Sequence, residues 1–175
     1  PLNLAGGQLT VNADGTFTLD NVAEPGDYSF QYRLENAAGD DVATVWIALQ
    51  QLPQANPDGP YFLMAGQTLT ITPDDTNDLL DNDQRGYPEA TITTIGGGSL
   101  GADSPITDPP SAVEVPGSGG ITVTVGADGS LTVDATSTTA LTGDYTFTYT
   151  VDNGVAQSTA DVSIQVQAAP VAVDD

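Results

Sequence analysis

The side chains able to do chemistry in this chain are almost all oxygen donors. Acids and amides gather in short runs. Asn56 and Asp58 stand in "NPDG", Asp81, Asn82 and Asp83 in "LLDNDQ", and Asp152 and Asn153 in "VDNG". Asp27 and Asp144 each follow a glycine in a "GDY" triplet, and Asp174 and Asp175 stand in "AVDD". The chain carries 24 acidic residues against 2 basic ones, a formal charge of -22. Carboxylates held close with so few cations repel one another, and a hard divalent cation relieves that repulsion. Calcium takes roughly 6–8 oxygens in irregular geometry, a demand that Asp, Asn and loop carbonyls meet. Magnesium fits less well, because it insists on octahedral geometry and keeps its water. A plainer reading of each acid stands beside this one: Asp and Asn also make turns and solvated surface.

Other chemistries are excluded by composition. There is no cysteine and no histidine, so disulfides, thiolate metal sites and a Ser-His-Asp triad are ruled out. The negative charge disfavours nucleic acid, which needs a basic surface, and anionic membranes. No apolar run approaches the ~18 residues of a spanning helix, so membrane insertion is not expected. An acid–base carboxylate pair is conceivable, but nothing in the sequence marks a concave site, and no enzyme is expected.

The elements that must position these oxygens read as strands. "QLTVN" (8–12), "TFTLD" (16–20), "YSFQYRL" (28–34) and "ATVWIAL" (43–49) alternate with period two. So do "TLTIT" (68–72), "ATITTI" (90–95), "ITVTV" (121–125), "SLTVD" (130–134), "YTFTYTV" (145–151) and "DVSIQV" (161–166). Asp-Gly and Asn-Gly turns separate them, as tight hairpins require. Tyr28 and Tyr145, opening long strands, suit tyrosine corners, and Tyr, Phe and Trp here read as packing residues. Residues 96–120, rich in Gly, Pro and Ser, read as a long loop or edge insertion. Many short strands predict an all-β antiparallel sandwich of about seven strands.

The pattern is written twice. Ala13-Asp14-Gly15 matches Ala127-Asp128-Gly129 at an offset of 114, and Gly26-Asp27-Tyr28 matches Gly143-Asp144-Tyr145 at 117. The later offset persists through Pro53 and Pro170, Ala55 and Ala172, Asp58 and Asp175. A period this long is a domain, not a solenoid coil. Residues 1–52 are thus expected to be the back half of one repeat, 53–169 a complete repeat, and 170–175 the opening of a third or a linker. The start at Pro1, with no methionine, suggests a piece of a longer protein. If strands reverse in turn, Asp27, Asn56, Asp58, Asp81 to Asp83, and Asp152 with Asn153 converge on one junction between repeats. A second site would form at the far end from Asp144, Asp174 and Asp175.

The segments "ADGTFTL…GDYSFQYRLEN" and "ADGSLTV…GDYTFTYTVDNG…STADVSIQV…APVAVDD", with "LLDND" at Leu79–Asp83, resemble the bacterial cadherin-like, immunoglobulin-like tandem repeats of large secreted repeats-in-toxin type adhesins. That resemblance implies tandem β-sandwiches in an extracellular, cell-surface rod, with calcium rigidifying the junctions between neighbouring repeats. "NPD" at 56–58 departs from the paired acids of the family pattern. The leading expectation is a calcium-rigidified stalk segment serving cell adhesion and biofilm. The alternatives are a homo-oligomeric filament subunit, completed by strand exchange between chains, and a carbohydrate-binding module using residues 96–120.

Overall fold

Alternating Thr, Val, Ile and Tyr cannot bury one face in a helix but can on a pleated strand, and the chain folds accordingly. The structure is a computed structural model describing residues 2–4, 6–22, 24–73 and 75–169. Fourteen strands and no helix occur among the described residues. The chain divides into two compact units, Pro1–Gln51 and Leu52–Asp175.

The larger unit holds nine strands: β6 (Asp58–Met64), β7 (Thr68–Ile71), β8 (Thr91–Gly97), β9 (Gly101–Pro105), β10 (Val113–Glu114), β11 (Thr122–Val125), β12 (Leu131–Asp134), β13 (Gly143–Asp152) and β14 (Gln157–Gln167). They make two sheets, β10-β11-β12-β7 and β6-β14-β13-β8-β9. All neighbours are antiparallel except β14 and β6, which run parallel. The inward alternate residues of both sheets form one core, with Val123, Val125, Leu131 and Val133 on one side and Ile92, Phe147, Val151, Val162 and Ile164 on the other. Leu79 and Leu80, from the connection after β7, plug the same core. Burying a leucine side chain fully is worth about 1.5–3 kcal/mol, so this pair anchors a connection otherwise made of turns.

The smaller unit holds β1 (Leu2–Leu4), β2 (Gly7–Val11), β3 (Phe17–Asp20), β4 (Gly26–Asn36) and β5 (Gly39–Leu49). These form a three-stranded sheet, β1-β2-β3, and a two-stranded hairpin, β4-β5. Leu9 and Phe30 are its buried hydrophobic residues among the described residues, and Phe17 meets Phe30 edge to face at 5.5 Å between ring centroids.

The sequence repeat reappears strand by strand: β2, β3, β4 and β5 correspond to β11, β12, β13 and β14. Details recur as well. Asp14 and Asp128 each accept hydrogen bonds from the backbone N–H and hydroxyl of the residue two ahead, Thr16 and Ser130. Gly15 and Gly129, between them, take φ of 87° and 93°, which favours glycine. These bonds hold both carboxyls below the usual carboxylate range. The acids repeated in these turns are therefore turn formers. Tyr28 donates to Glu24 O and Tyr145 to Leu141 O, the same corner in each unit.

Two sequence expectations change in detail, and a third, the edge insertion at 96–120, is specified. The larger unit has nine strands rather than about seven. β6 passes through "DGPYFLM", where Gly59 and Pro60 mask the alternation. Residues 96–120 hold β9 and β10, so the segment is partly an edge extension of the sheets.

Candidate functional site

The segment leading into β6 is fastened to the connection after β7 through oxygens and amides. Asn56 N–H donates to Asp83 Oδ1 at 2.7 Å, and Asn56 Nδ2 to Asn82 O at 2.8 Å. Asn82 Nδ2 reaches back to Pro57 O and to Asp58 Oδ1, both at 3.1 Å. Gln54 and Gln84 exchange backbone hydrogen bonds beside them. The ring of Tyr149 is buried in the core, and its hydroxyl emerges under this lattice, within hydrogen-bonding reach of both Asp83 carboxylate oxygens (2.9 and 3.0 Å) and of Asn56 O (3.0 Å).

The sequence explains the placement. Leu79 and Leu80 pin the connection, so Asn82 and Asp83 emerge where the chain leaves the core. Asp78 Oδ1 accepts from Leu80 N at 2.7 Å and shapes the turn. Asp58 is the first residue of β6, opposite Val162 in the parallel pair.

Asp58 is the unusual member. It is 9% exposed, and its Oδ2 is buried with no hydrogen-bond partner. Burial pushes its carboxyl up to about 7, opposed by the nearby Tyr149 hydroxyl and by Asn82, and reinforced by the charges of Asp83 and Asp78. Burial likewise raises Asp83, against hydrogen bonds from Asn56 N and Tyr149 and with a further push from Asp78. The same burial and the two carboxylates hold the Tyr149 hydroxyl protonated, raising its pKa. An open cleft of ≈ 630 Å³ adjoins Asp58 and is lined also by Asp75, Asn77, Asp78, Asp81 and Asn82.

An orphaned, buried carboxylate oxygen beside a second, half-buried carboxylate has two chemical outlets, a proton or a cation. The donor set suits a hard cation: carboxylates of Asp58 and Asp83, backbone oxygens of Asn56 and Asn82, and no softer ligand. Among the described residues, no three acidic side chains converge closely enough to form a cage by themselves. Amide and main-chain oxygens would have to complete any shell.

The structure thus brings together Asn56, Asp58, Asn82 and Asp83, with Asp81 exposed at the rim of the cleft. Asp152 and Asn153 are engaged in their own hairpin. Asp152 accepts from Gly154 N and Gln157 Nε2, which lower its pKa, and Asn153 Oδ1 accepts from Val155 N and Ala156 N. Asp144 lies at the start of β13 and accepts from Gln165 Nε2. Asp27 belongs to the smaller unit, on β4 opposite Ala48. Asp174 and Asp175 lie outside the described residues. Tyr149 and Asp78 are participants that sequence reading missed. A tyrosine, where a phenylalanine would fill the core equally well, was the available signal for the first.

No family model matches the chain, and no curated protein matches it. Among solved structures it is similar to the endo-fucoidan hydrolase MfFcnA4 from glycoside hydrolase family 107, at 17% identity and a TM-score of 0.36, over 94% of this chain and 22% of that one. The H294Q form of that hydrolase gives 17% identity and a TM-score of 0.39, over 96% and 23%. The endo-fucoidan hydrolase MfFcnA9 of the same family gives 17% and 0.33, over 91% and 26%. The chain spans about a quarter of the length of these structures.

Proposed function

We propose that this chain is a structural stalk segment of a large extracellular adhesin, built from tandem immunoglobulin-like (cadherin-like) repeats and stiffened by calcium. Its role is spacing and rigidity, not catalysis, and its partners are the neighbouring repeats of the same protein. The observation that carries this reading is the buried, partnerless Asp58 Oδ2, placed where a repeat begins. Supporting it are the strand-for-strand recurrence of β2–β5 as β11–β14 and the shared tyrosine corner.

In this reading Asp58 and Asp83 supply the charge, and oxygens of Asn56 and Asn82 complete the shell. Bound calcium would compensate the burial of both carboxyls, which is the main cause of their raised pKa, and screen the repulsion that adds to it. It would also lock the lead-in segment to the connection after β7. Extracellular modules bind calcium at roughly 10⁻⁴–10⁻³ M. At ~100-fold excess over the dissociation constant the gain is about 2.7 kcal/mol, a large share of the ~5–15 kcal/mol of a typical domain.

The test is a pair of thermal melts, with calcium and with chelator, accompanied by calcium titration calorimetry. The expected result is a clear calcium-dependent rise in melting temperature that Asp83→Asn weakens and Asp103→Asn leaves intact. Identical melts in both conditions, with no heat of binding, would sink the proposal.

A further inference from the structure

We propose that the smaller unit is an acceptor for a polypeptide segment patterned like residues 53–97, the front half of a repeat of this kind, which docks as three added strands. The argument rests on comparing the two units and does not depend on calcium.

Strands β2–β5 reproduce β11–β14, yet their inward residues are not covered alike. Tyr32 is 38% exposed, whereas its counterpart Tyr149 is 0%. Leu34 is 66% exposed against 1% for Val151, and Phe17 is 44% against 0% for Leu131. In the larger unit these positions are closed by β6, β7, β8 and the Leu79–Leu80 plug. The sheet edges tell the same story. The edge of β12 pairs with β7, that of β13 with β8, and that of β14 with β6. Among the described residues, the corresponding edges of β3, β4 and β5 carry no further strand. Open edges beside an uncovered apolar face are a template for strand addition.

The direction of those edges selects the occupant. The counterpart of β5 takes its neighbour in parallel, and that of β4 takes its neighbour antiparallel. Two copies of this unit related by a two-fold axis pair like edges antiparallel, so a second copy would not reproduce the parallel neighbour that the counterpart of β5 takes. A connected segment that offers one parallel and two antiparallel strands satisfies all three edges. Its apolar residues, at the positions of Leu63, Leu79, Ile92 and Ile95, fill the gap over Phe17, Tyr32 and Leu34.

The test fuses a copy of residues 53–97 ahead of Pro1 and compares it, in chelator, with the unfused chain by hydrogen exchange and thermal melting. The expected result is amide exchange in β4 and β5 slowed by roughly 100-fold or more. The melting transition of this unit should rise by about 10 °C or more. A control fusion with Asp at the copies of Ile92 and Ile95 should abolish both effects. Unchanged exchange at β4 and β5 in the fusion overturns the proposal. So does an unfused chain that dimerises with β4 already protected, because a second copy would then be the occupant. Chelator separates either failure from the calcium reading.

Discussion

Replacing Asp58 by Asn tests the electrostatic reading of the cluster most directly. The folded carboxyl sits at about 7 against 3.8 for an aspartate free in water, chiefly through burial. The sign follows from proton linkage. Between those values the folded state holds a proton that the unfolded state has lost. Stability is therefore fully present below the unfolded value and declines as pH rises through about 7. Carrying a carboxyl over that interval costs about 4 kcal/mol at full ionisation, and solvent entering from the cleft trims it to about 2–4 kcal/mol. Asn keeps the shape and the Oδ1 acceptor while removing the charge. In chelator at pH 8.5, Asp58→Asn should raise the melting temperature of the larger unit by roughly 5–10 °C and flatten its decline between pH 5 and pH 8.5. In calcium the order should reverse, because the wild type gains the ion and the variant loses a ligand. Calorimetric melts at matched ionic strength across this pH range, with and without calcium, read all of these effects. A variant less stable than wild type at pH 8.5 in chelator, with the pH slope intact, would refute the claim that Asp58 is a buried, strained charge.

Two further perturbations separate packing from polar stitching. Tyr149→Phe keeps the buried ring but removes the hydroxyl shared by Asp83 and Asn56; it should cost about 1–3 kcal/mol in denaturant melts, with faster amide exchange at Asn56. Leu79→Ala empties a fully buried site in the plug and should cost about 2–5 kcal/mol in urea unfolding, together with weaker calcium binding as the connection loosens.

The strands that the sequence announces are those whose alternation is unbroken. "SLTVD", after an Asp-Gly turn, and "YTFTYTV", leading into an Asn-Gly turn, show clean period two, and each folds as read. β6 was hidden because Gly59 and Pro60 interrupt the pattern, and a parallel partner a hundred residues away leaves no local signal. In the site, Asn56, Asp58, Asn82 and Asp83 were legible from residue type, since oxygens gathered near a repeat boundary must find partners. Their pairing was not legible, because it depends on Leu79 and Leu80 holding the connection at a fixed depth. Tyr149 was invisible for a different reason. A tyrosine on an alternating strand reads as core, and its ring is core; only the tertiary fold shows that its hydroxyl exits among carboxylates. Asp152 and Asn153 carry the same chemistry, and the structure shows their oxygens accepting hydrogen bonds within their own turn, which residue type does not reveal.

The parallel pairing of β6 with β14 joins the first and last strands of the larger unit. Pulling the two ends of that unit apart drags these neighbours in opposite directions along their common axis. Their hydrogen bonds are then strained in shear, all together, instead of unzipping one after another. A bead tied in this way resists tension best along the line of the chain, the direction in which a tether between two surfaces is stretched.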